Sequence, residues 1–457
     1  MAKICLVGEW HQAVVLGACL AEMGHEVTGV VSSDAAAAAL NAGTPPVHEP
    51  GLADLLMRAI EDRRLRYTTS YEDGLNGAEF AYLALDTPVG DDDSPELAPV
   101  VAAAVAVSAA LVPEAASDTI VIVSAQVPVG TCARLVGEME AHTGRRVAGL
   151  AYVPEFLRLG NAIRTFRSAD RFIVGSDDVR VRERVAALFE PLGRPVVRMD
   201  LRSAEMTKHA CNAFLGASIS FINEIADLCD AVGADVGAVA AGMRLDGRIG
   251  PRAFLDAGLG FAGGTLGRDL RALQAAGAEH GRPTRLADAA LEVNRGRTAL
   301  VRRQLERIYD PLAGLTVGVL GLTYKPGTST LRRSAALEII ADLARSGVAA
   351  RAYDPLADLD GLIDPPPFTR VDDVYAAADD ADAIVLVTPW DGLDALDLKL
   401  LRSRMRRPVF IDTRNRFDPD RLAQFGFIYL GVGRGGRPEG ATIGPVATGD
   451  VTAAEVA

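Results

Sequence analysis

The chain has no run of lysine and arginine, no C-x-x-C pair, no H-E-x-x-H spacing and no apolar stretch of membrane-spanning length, and each absence removes a class of function. Its 47 lysines and arginines against 60 aspartates and glutamates leave a net charge of −13, so no nucleic-acid partner is expected. The longest apolar run, residues 100–113, falls well short of the ~20 residues of a spanning helix, so no membrane is expected either. The opening Met-Ala-Lys-Ile-Cys-Leu-Val-Gly reads as an immediate strand. It lacks the charged leader and apolar core of a secretion signal and points to a cytoplasmic protein. The cysteines, Cys5, Cys19, Cys132, Cys211 and Cys229, are scattered in apolar or helical surroundings, as reduced and mostly buried thiols are. The six histidines are equally dispersed, so no metal site is expected.

What is present is length and apolar content: 457 residues, 49% of them hydrophobic, can fill about three domains. Residues 4–7 are an apolar run, 13–23 have helical spacing, and 26–31 are again apolar and valine-rich, which together make a βαβ unit. Strands at 79–85 and 119–124 alternate with a helix at 99–112, as in an open parallel sheet covered by helices. Residues 203–232 hold no proline and one internal glycine, Gly216, with apolar residues every three or four positions, and predict a long helix. A second α/β unit follows, with strands at 315–320, 350–353, 383–387 and 409–411 and a helix at 335–346. The expected fold is α/β: two Rossmann-like doubly wound domains at 1–200 and 301–434, joined by a helical region at 201–300. Beyond Arg434 the composition turns to Gly, Pro, Ala and Thr, so 435–457 is expected to be a disordered tail.

Several stretches go beyond architecture. Val47-His48-Glu49-Pro50-Gly51-Leu52, Pro154-Glu155-Phe156-Leu157-Arg158, Ala204-Glu205 through Lys208 to Asn212, Phe221-Ile222-Asn223-Glu224, Gly321-Leu322-Thr323-Tyr324-Lys325-Pro326 and Asp412-Thr413-Arg414-Asn415 occur in an order that resembles the UDP-glucose/GDP-mannose dehydrogenase family. The resemblance covers about residues 2–434. It implies an N-terminal NAD-binding domain, a central helix that forms a homodimer, and a C-terminal domain that grips a nucleoside-diphosphate sugar. It further implies oxidation of the sugar's C6 alcohol to a carboxylate with two NAD, through a thioester on a cysteine.

The chain departs from that pattern at the redox apparatus. The dinucleotide turn reads Gly8-Glu9-Trp10-His11-Gln12-Ala13, with Trp10 where a glycine admits the pyrophosphate. The acid expected on the ribose about 20 positions later aligns with Val31, followed by Ser32 and Ser33. Either NAD binds in a shifted pose around Gly8, His11 and Gln12, or it no longer binds; the two serines could also cradle the 2′-phosphate of NADP. Thr265 stands at the place of the nucleophilic cysteine, and an unactivated hydroxyl supplies essentially no nucleophile at neutral pH. Gln126 and Leu159 replace a threonine and an acid that serve water and proton handling in the family.

Other positions are kept. Glu155, Lys208, Asn212 and Asp269 match the family's proton-transfer and oxyanion-stabilising set; Lys208 and Asn212, four apart on a helix, can both face one substrate oxygen. Thr87-Pro88 and Arg332 match positions beside the dinucleotide. Arg248, reaching from a neighbouring subunit, Phe254, Leu255 and Gly260 of a loop over the nucleotide, Lys325 and Arg414 match its substrate grip. Two readings stay open: an oxidoreductase that performs one hydride transfer on a sugar nucleotide without a thioester, or a non-redox isomerase, lyase, hydrolase or binding protein that keeps the sugar site.

Overall fold

The structure, a computed structural model, describes residues 1–87, 96–111, 118–144, 147–261, 266–331, 334–360, 362 and 364–435. The positions of Pro88, Thr265 and Arg332, and the tail from residue 436, lie outside the described residues. In the N-terminal half, strands β1 (Lys3–Val7), β2 (Glu26–Val30), β3 (Leu65–Thr68), β4 (Phe80–Leu83), β5 (Ile120–Val123), β6 (Leu150–Tyr152), β7 (Phe172–Gly175) and β8 (Val196–Met199) form one sheet. Their order is β3-β2-β1-β4-β5-β6-β7-β8, parallel except between β6 and β7. In the C-terminal half β9 (Thr316–Leu320), β10 (Ala349–Tyr353), β11 (Thr369–Arg370), β12 (Ala383–Leu386), β13 (Val409–Asp412) and β14 (Ile428–Leu430) form a second, all-parallel sheet ordered β11-β10-β9-β12-β13-β14. The expected α/β fold with two Rossmann-like sheets and a long central helix is the one observed.

The strands are continuous apolar runs because helices cover both faces of the sheet. Side chains alternate across a strand, so Ile4, Leu6, Phe80, Tyr82, Ile120 and Ile122 pack on one face with the first helix, His11–Glu22. Their neighbours Cys5, Val7, Ala81, Leu83, Val121 and Val123 pack on the other face with helices Ala98–Ala110 and Thr131–Thr143. The apolar run near residue 100 is thus a core helix, and no helix among the described residues is long and apolar enough to cross a membrane. Strand order reverses between β1 and β4, so the loops after these strands part and leave a crevice at their carboxyl ends.

The central helix runs Leu201–Val232, two residues earlier than its spacing predicts, because Asp200 caps it by accepting from the amide of Ser203 at 2.9 Å. Gly233 ends it in the left-handed conformation. Gly216 sits where helix Leu266–Glu279 crosses: a Cβ there would come within 3.0 Å of Leu270 Cδ1. That close crossing seats Asp269 against His209 and Asn212, which share a face with Gly216 at helical spacing. Strands β3, β7 and β8 are further strands beyond the sequence reading, and so are β6, β11 and β14, which span only two or three residues and hold no readable period.

Candidate functional site

The crevice starts at Gly8, whose φ is +142°. A Cβ there would lie 2.7 Å from the carbonyl of Ala84 and 2.9 Å from Ala13 Cβ, so only glycine lets β1, the first helix and β4 close on one another. Trp10 caps that helix without any side-chain hydrogen bond to its first amides, and its ring is 40% exposed. His11 turns inward instead, its Nε2 2.7 Å from Glu49 Oε2, and Gln12 donates to the carbonyl of Ser124 at 3.2 Å. Val31 is buried in the core, as its aliphatic side chain requires.

On the other side of the crevice the loop after β5 is held by the central helix. Glu205 accepts from the amides of Gly130 at 2.5 Å and Cys132 at 2.8 Å, and His209 Nε2 donates to the carbonyl of Val127 at 2.8 Å. Arg268 donates to the carbonyl of Thr87 at 2.7 Å, to its hydroxyl at 3.0 Å, and to Gln126 Oε1. Thr87 in turn donates to the carbonyl of Gln126 at 3.0 Å. Gln126 Nε2 is buried with no hydrogen-bond partner, a donor left over for an acceptor on a ligand. An uncapped helix end, a glycine that brings backbone to backbone, and this donor together fit a dinucleotide lying across the crevice.

Between the loop and the central helix lies a buried charge cluster. Asp269 is fully buried, its Oδ1 2.6 Å from His209 Nδ1 and its Oδ2 accepting from the Asn212 amide. Burial alone would raise its carboxyl; the bond and charge of His209, the charge of Lys208 and the Asn212 amide outweigh this and lower it. The two ring nitrogens of His209 thus lie between the carbonyl of Val127 and the carboxylate of Asp269. Lys208 donates to the carbonyl of Glu155 at 2.5 Å, stands 3.9 Å from Glu155 Oε1, and lies 4.7 Å from the Phe156 ring centroid. A buried carboxylate needs donors, and Asp269 takes one of the two amide protons of Asn212, which leaves the other for a substrate oxygen beside Lys208.

The substrate-grip candidates gather only in part. Gly258 and Arg414 meet at the seam: a Cβ on Gly258 would lie 2.8 Å from the carbonyl of Thr413 and 3.9 Å from Arg414 Nη1. Gly260 must be glycine, since a Cβ would meet Asn294 Oδ1 at 2.2 Å, and Asn294 clamps both the amide and the carbonyl of Phe261. Leu255 is buried in the C-terminal core, while Phe254 lies beside Arg158, 6.0 Å from guanidinium carbon to ring centroid. The loop of Lys325 packs on the N-terminal half, where a Cβ on Gly160 would come within 2.8 Å of the carbonyl of Pro326. Arg414 donates to the carbonyl of Val387 at 2.8 Å. Burial pulls the Arg414 guanidinium and the Lys325 ammonium below their ordinary values. None of the cations Arg158, Lys325 and Arg414 has a salt-bridged carboxylate among the described residues. Lys325 and Arg414, half-buried cations without counter-ions, fit a diphosphate. Arg248 stands apart, exposed and paired with Asp246 at 2.6 Å.

His209, Arg158, Arg268 and Glu49 escaped the sequence reading. A histidine beside Lys208 and an arginine beside Asp269 were visible in the motifs, but nothing local distinguishes them from surface charge. Four of the five cysteines offer no replacement thiolate, since burial pushes Cys5 and Cys19 up to about 12 and raises Cys132 and Cys229; Cys211, half-buried, accepts a hydrogen bond from Arg171 at 3.2 Å. No group of three or more His, Cys, Asp or Glu poised for a metal occurs among the described residues.

Glu49 ties the site together and carries a pH prediction. Burial raises its carboxyl, but the bonds from His11 and from the amides of Ala162 at 2.7 Å and Gly160 at 2.6 Å hold it below the ordinary range. Unfolded glutamate titrates near ~4.3, so the stability this group and Asp269 contribute is complete above that pH and is lost as the pH falls through their folded values. The melting temperature should therefore drop in acid, and Glu49→Gln should cost about 2 to 3 kcal/mol at neutral pH while flattening the acid slope. Thermal melts of both proteins across the acid range check this, and equal acid slopes would reject it.

Sequence models of the UDP-glucose/GDP-mannose dehydrogenase family match the chain in three successive parts: the NAD binding domain over residues 2–193, the central domain over 202–296 and the UDP binding domain over 318–419. The chain is 36% identical over 437 residues to a UDP-glucose 6-dehydrogenase of Bacillus subtilis, covering 95% of this chain and 94% of that one. It is also 36% identical over 446 residues to a UDP-glucose 6-dehydrogenase of Pseudomonas aeruginosa, covering 94% and 97%. Among solved structures, a UDP-glucose dehydrogenase from Pyrobaculum islandicum superposes with a TM-score of 0.86 at 31% identity, covering 95% of this chain and 98% of that one. All are dehydrogenases by name, and the non-redox alternative draws no support from them.

Proposed function

Because the chain belongs to the UDP-glucose/GDP-mannose dehydrogenase family, we propose that it oxidises an alcohol of a nucleoside-diphosphate sugar with NAD, in a single two-electron step that yields a carbonyl. The observation that carries this reading is the buried cluster of Lys208, His209, Asn212 and Asp269 beside the crevice, with unpaired cations at the seam. A buried lysine and a fully buried carboxylate are costly to keep without a task.

NAD, when bound, takes up two electrons and one hydrogen from the alcohol carbon. The chain's own residues handle the rest. The Lys208 ammonium stabilises the alcohol oxygen as the hydroxyl proton passes to water, with Asp269 balancing the charge. Gln126 Nε2 offers its unmet donor to a ligand oxygen in the crevice. Arg414 and Lys325 pair with the diphosphate. With Thr265 in place of a thiol, the carbonyl product is released rather than captured as a thiohemiacetal.

The substrate half is tested by calorimetry with UDP-glucose, GDP-mannose and other common sugar nucleotides. At least one should bind, and Arg414→Ala should weaken it by about 2 to 3 kcal/mol. A protein that binds none of them overturns the reading.

A homodimer through the central helix belongs to the same proposal. Phe214, Phe221 and Leu228, seven residues apart along that helix, are 73%, 48% and 55% exposed, a stripe suited to a partner helix. Light scattering should give twice the chain mass at micromolar protein, falling toward the monomer for Phe214→Glu with Phe221→Glu.

A further inference from the structure

We propose that Glu9 supplies the carboxylate that the end of β2 lacks, and that it makes this chain select a dinucleotide with a free ribose 2′-hydroxyl over one bearing a 2′-phosphate. The inference rests on the dinucleotide reading above and names the residue that sets its specificity. The parallel register pairs Val7 with Val30, so residues just beyond the two strand ends come side by side at the carboxyl edge of the sheet. Glu9 and Ser32 meet there. The amide of Ser32 donates to Glu9 Oε2 at 2.7 Å, and its hydroxyl lies 2.8 Å from each carboxylate oxygen. In a dinucleotide fold this edge is where an acid meets the adenosine ribose. Val31 cannot serve, being turned into the core, and Glu9 reaches the place from the neighbouring strand.

Counting hydrogen bonds shows what the carboxylate still has to give. It can accept about four, and Ser32 offers two protons, one from nitrogen and one from oxygen. About two acceptor sites remain, the number a vicinal diol would fill. Ser32 is the only hydrogen-bond partner of Glu9 among the described residues. A 2′-phosphate would bring up to two negative charges to this carboxylate and to Asp34, which opens the next helix. The serines bring no positive charge to offset this: both donors of Ser32 are engaged by Glu9, and the Ser33 hydroxyl, which accepts from the amide of Ala36 at 3.2 Å as a helix cap, offers one neutral proton.

Calorimetric titration of NAD and NADP into the protein, Glu9→Gln and Ser32→Ala tests the assignment without any turnover. The wild type should bind NAD at least about 30-fold tighter than NADP, and Glu9→Gln should lose about tenfold for NAD and bring the two dinucleotides to within a few-fold. Ser32→Ala, which keeps the carboxylate but loosens its hold, should lose less and retain the preference, and it serves as the second variant if Glu9→Gln folds poorly. Glu9→Gln with unchanged NAD affinity and unchanged preference overturns the role of Glu9 while leaving the dinucleotide reading intact. Tighter NAD binding by Glu9→Gln would show an obstructing carboxylate and also overturn it. No binding of either dinucleotide by any of the three proteins overturns the dinucleotide reading itself, and the assignment with it.

Discussion

Supplied with NAD and the sugar nucleotide it binds, the protein is expected to form one NADH per sugar oxidised, and not the two that conversion to a uronic acid requires. The second oxidation needs an adduct at the carbonyl carbon. A thiol of ordinary pKa, about 8.5, is partly thiolate at neutral pH, whereas the hydroxyl of Thr265 is not ionised at all. Burial raises Cys5, Cys19, Cys132 and Cys229, which keeps these four thiols protonated. The same proposal expects altered water handling, because Leu159 carries no carboxylate and Oε1 of Gln126 is bound to Arg268. Restoring only the thiol by Thr265→Cys should therefore leave the stoichiometry at one. Counting NADH against consumed sugar, with the product identified by mass, decides the matter. Two equivalents from the wild-type protein would falsify the proposal and point to direct oxidation of a carbonyl hydrate.

Lys208→Met should lower kcat by a factor of about 10² to 10⁴, the usual worth of a group positioned at the reacting oxygen, with the nucleotide sugar still bound to within a few-fold. Methionine keeps the aliphatic stem against Phe156 and removes only the charged end. The split between kcat and KM carries the argument, because a purely structural lysine would lower the melting temperature and leave turnover per folded molecule nearly unchanged. Rescue of turnover by an exogenous primary amine would further mark the lost group as the one that stabilises the oxygen. A variant with wild-type kcat excludes Lys208 from the chemistry.

The helical spacing and apolar runs were legible because they are local. Ile4 to Val7, the valines after Glu26 and residues 315–320 announce buried parallel strands within a few positions, and the absence of proline from 203–232 announces the central helix. The ordered motifs located the family without any coordinates. Short strands such as β6 and β11 were not legible, because three or two residues contain no period. Polar roles were harder still. The sequence aligned Lys208, Asn212 and Asp269 with one site, but the bond that Asn212 gives to Asp269 came only with the fold. His209 gave no sign of its role, because its partner is 60 residues away and is brought to it by a helix crossing that Gly216 permits. The missing ribose acid read as a loss at Val31, until the register of two parallel strands set Glu9 beside Ser32. Apolar pattern is enough to decide which face is buried, since burial of apolar surface needs no particular partner. Hydrogen bonds and ion pairs do need one, at a set distance and direction, and only the tertiary structure decides which residue supplies it.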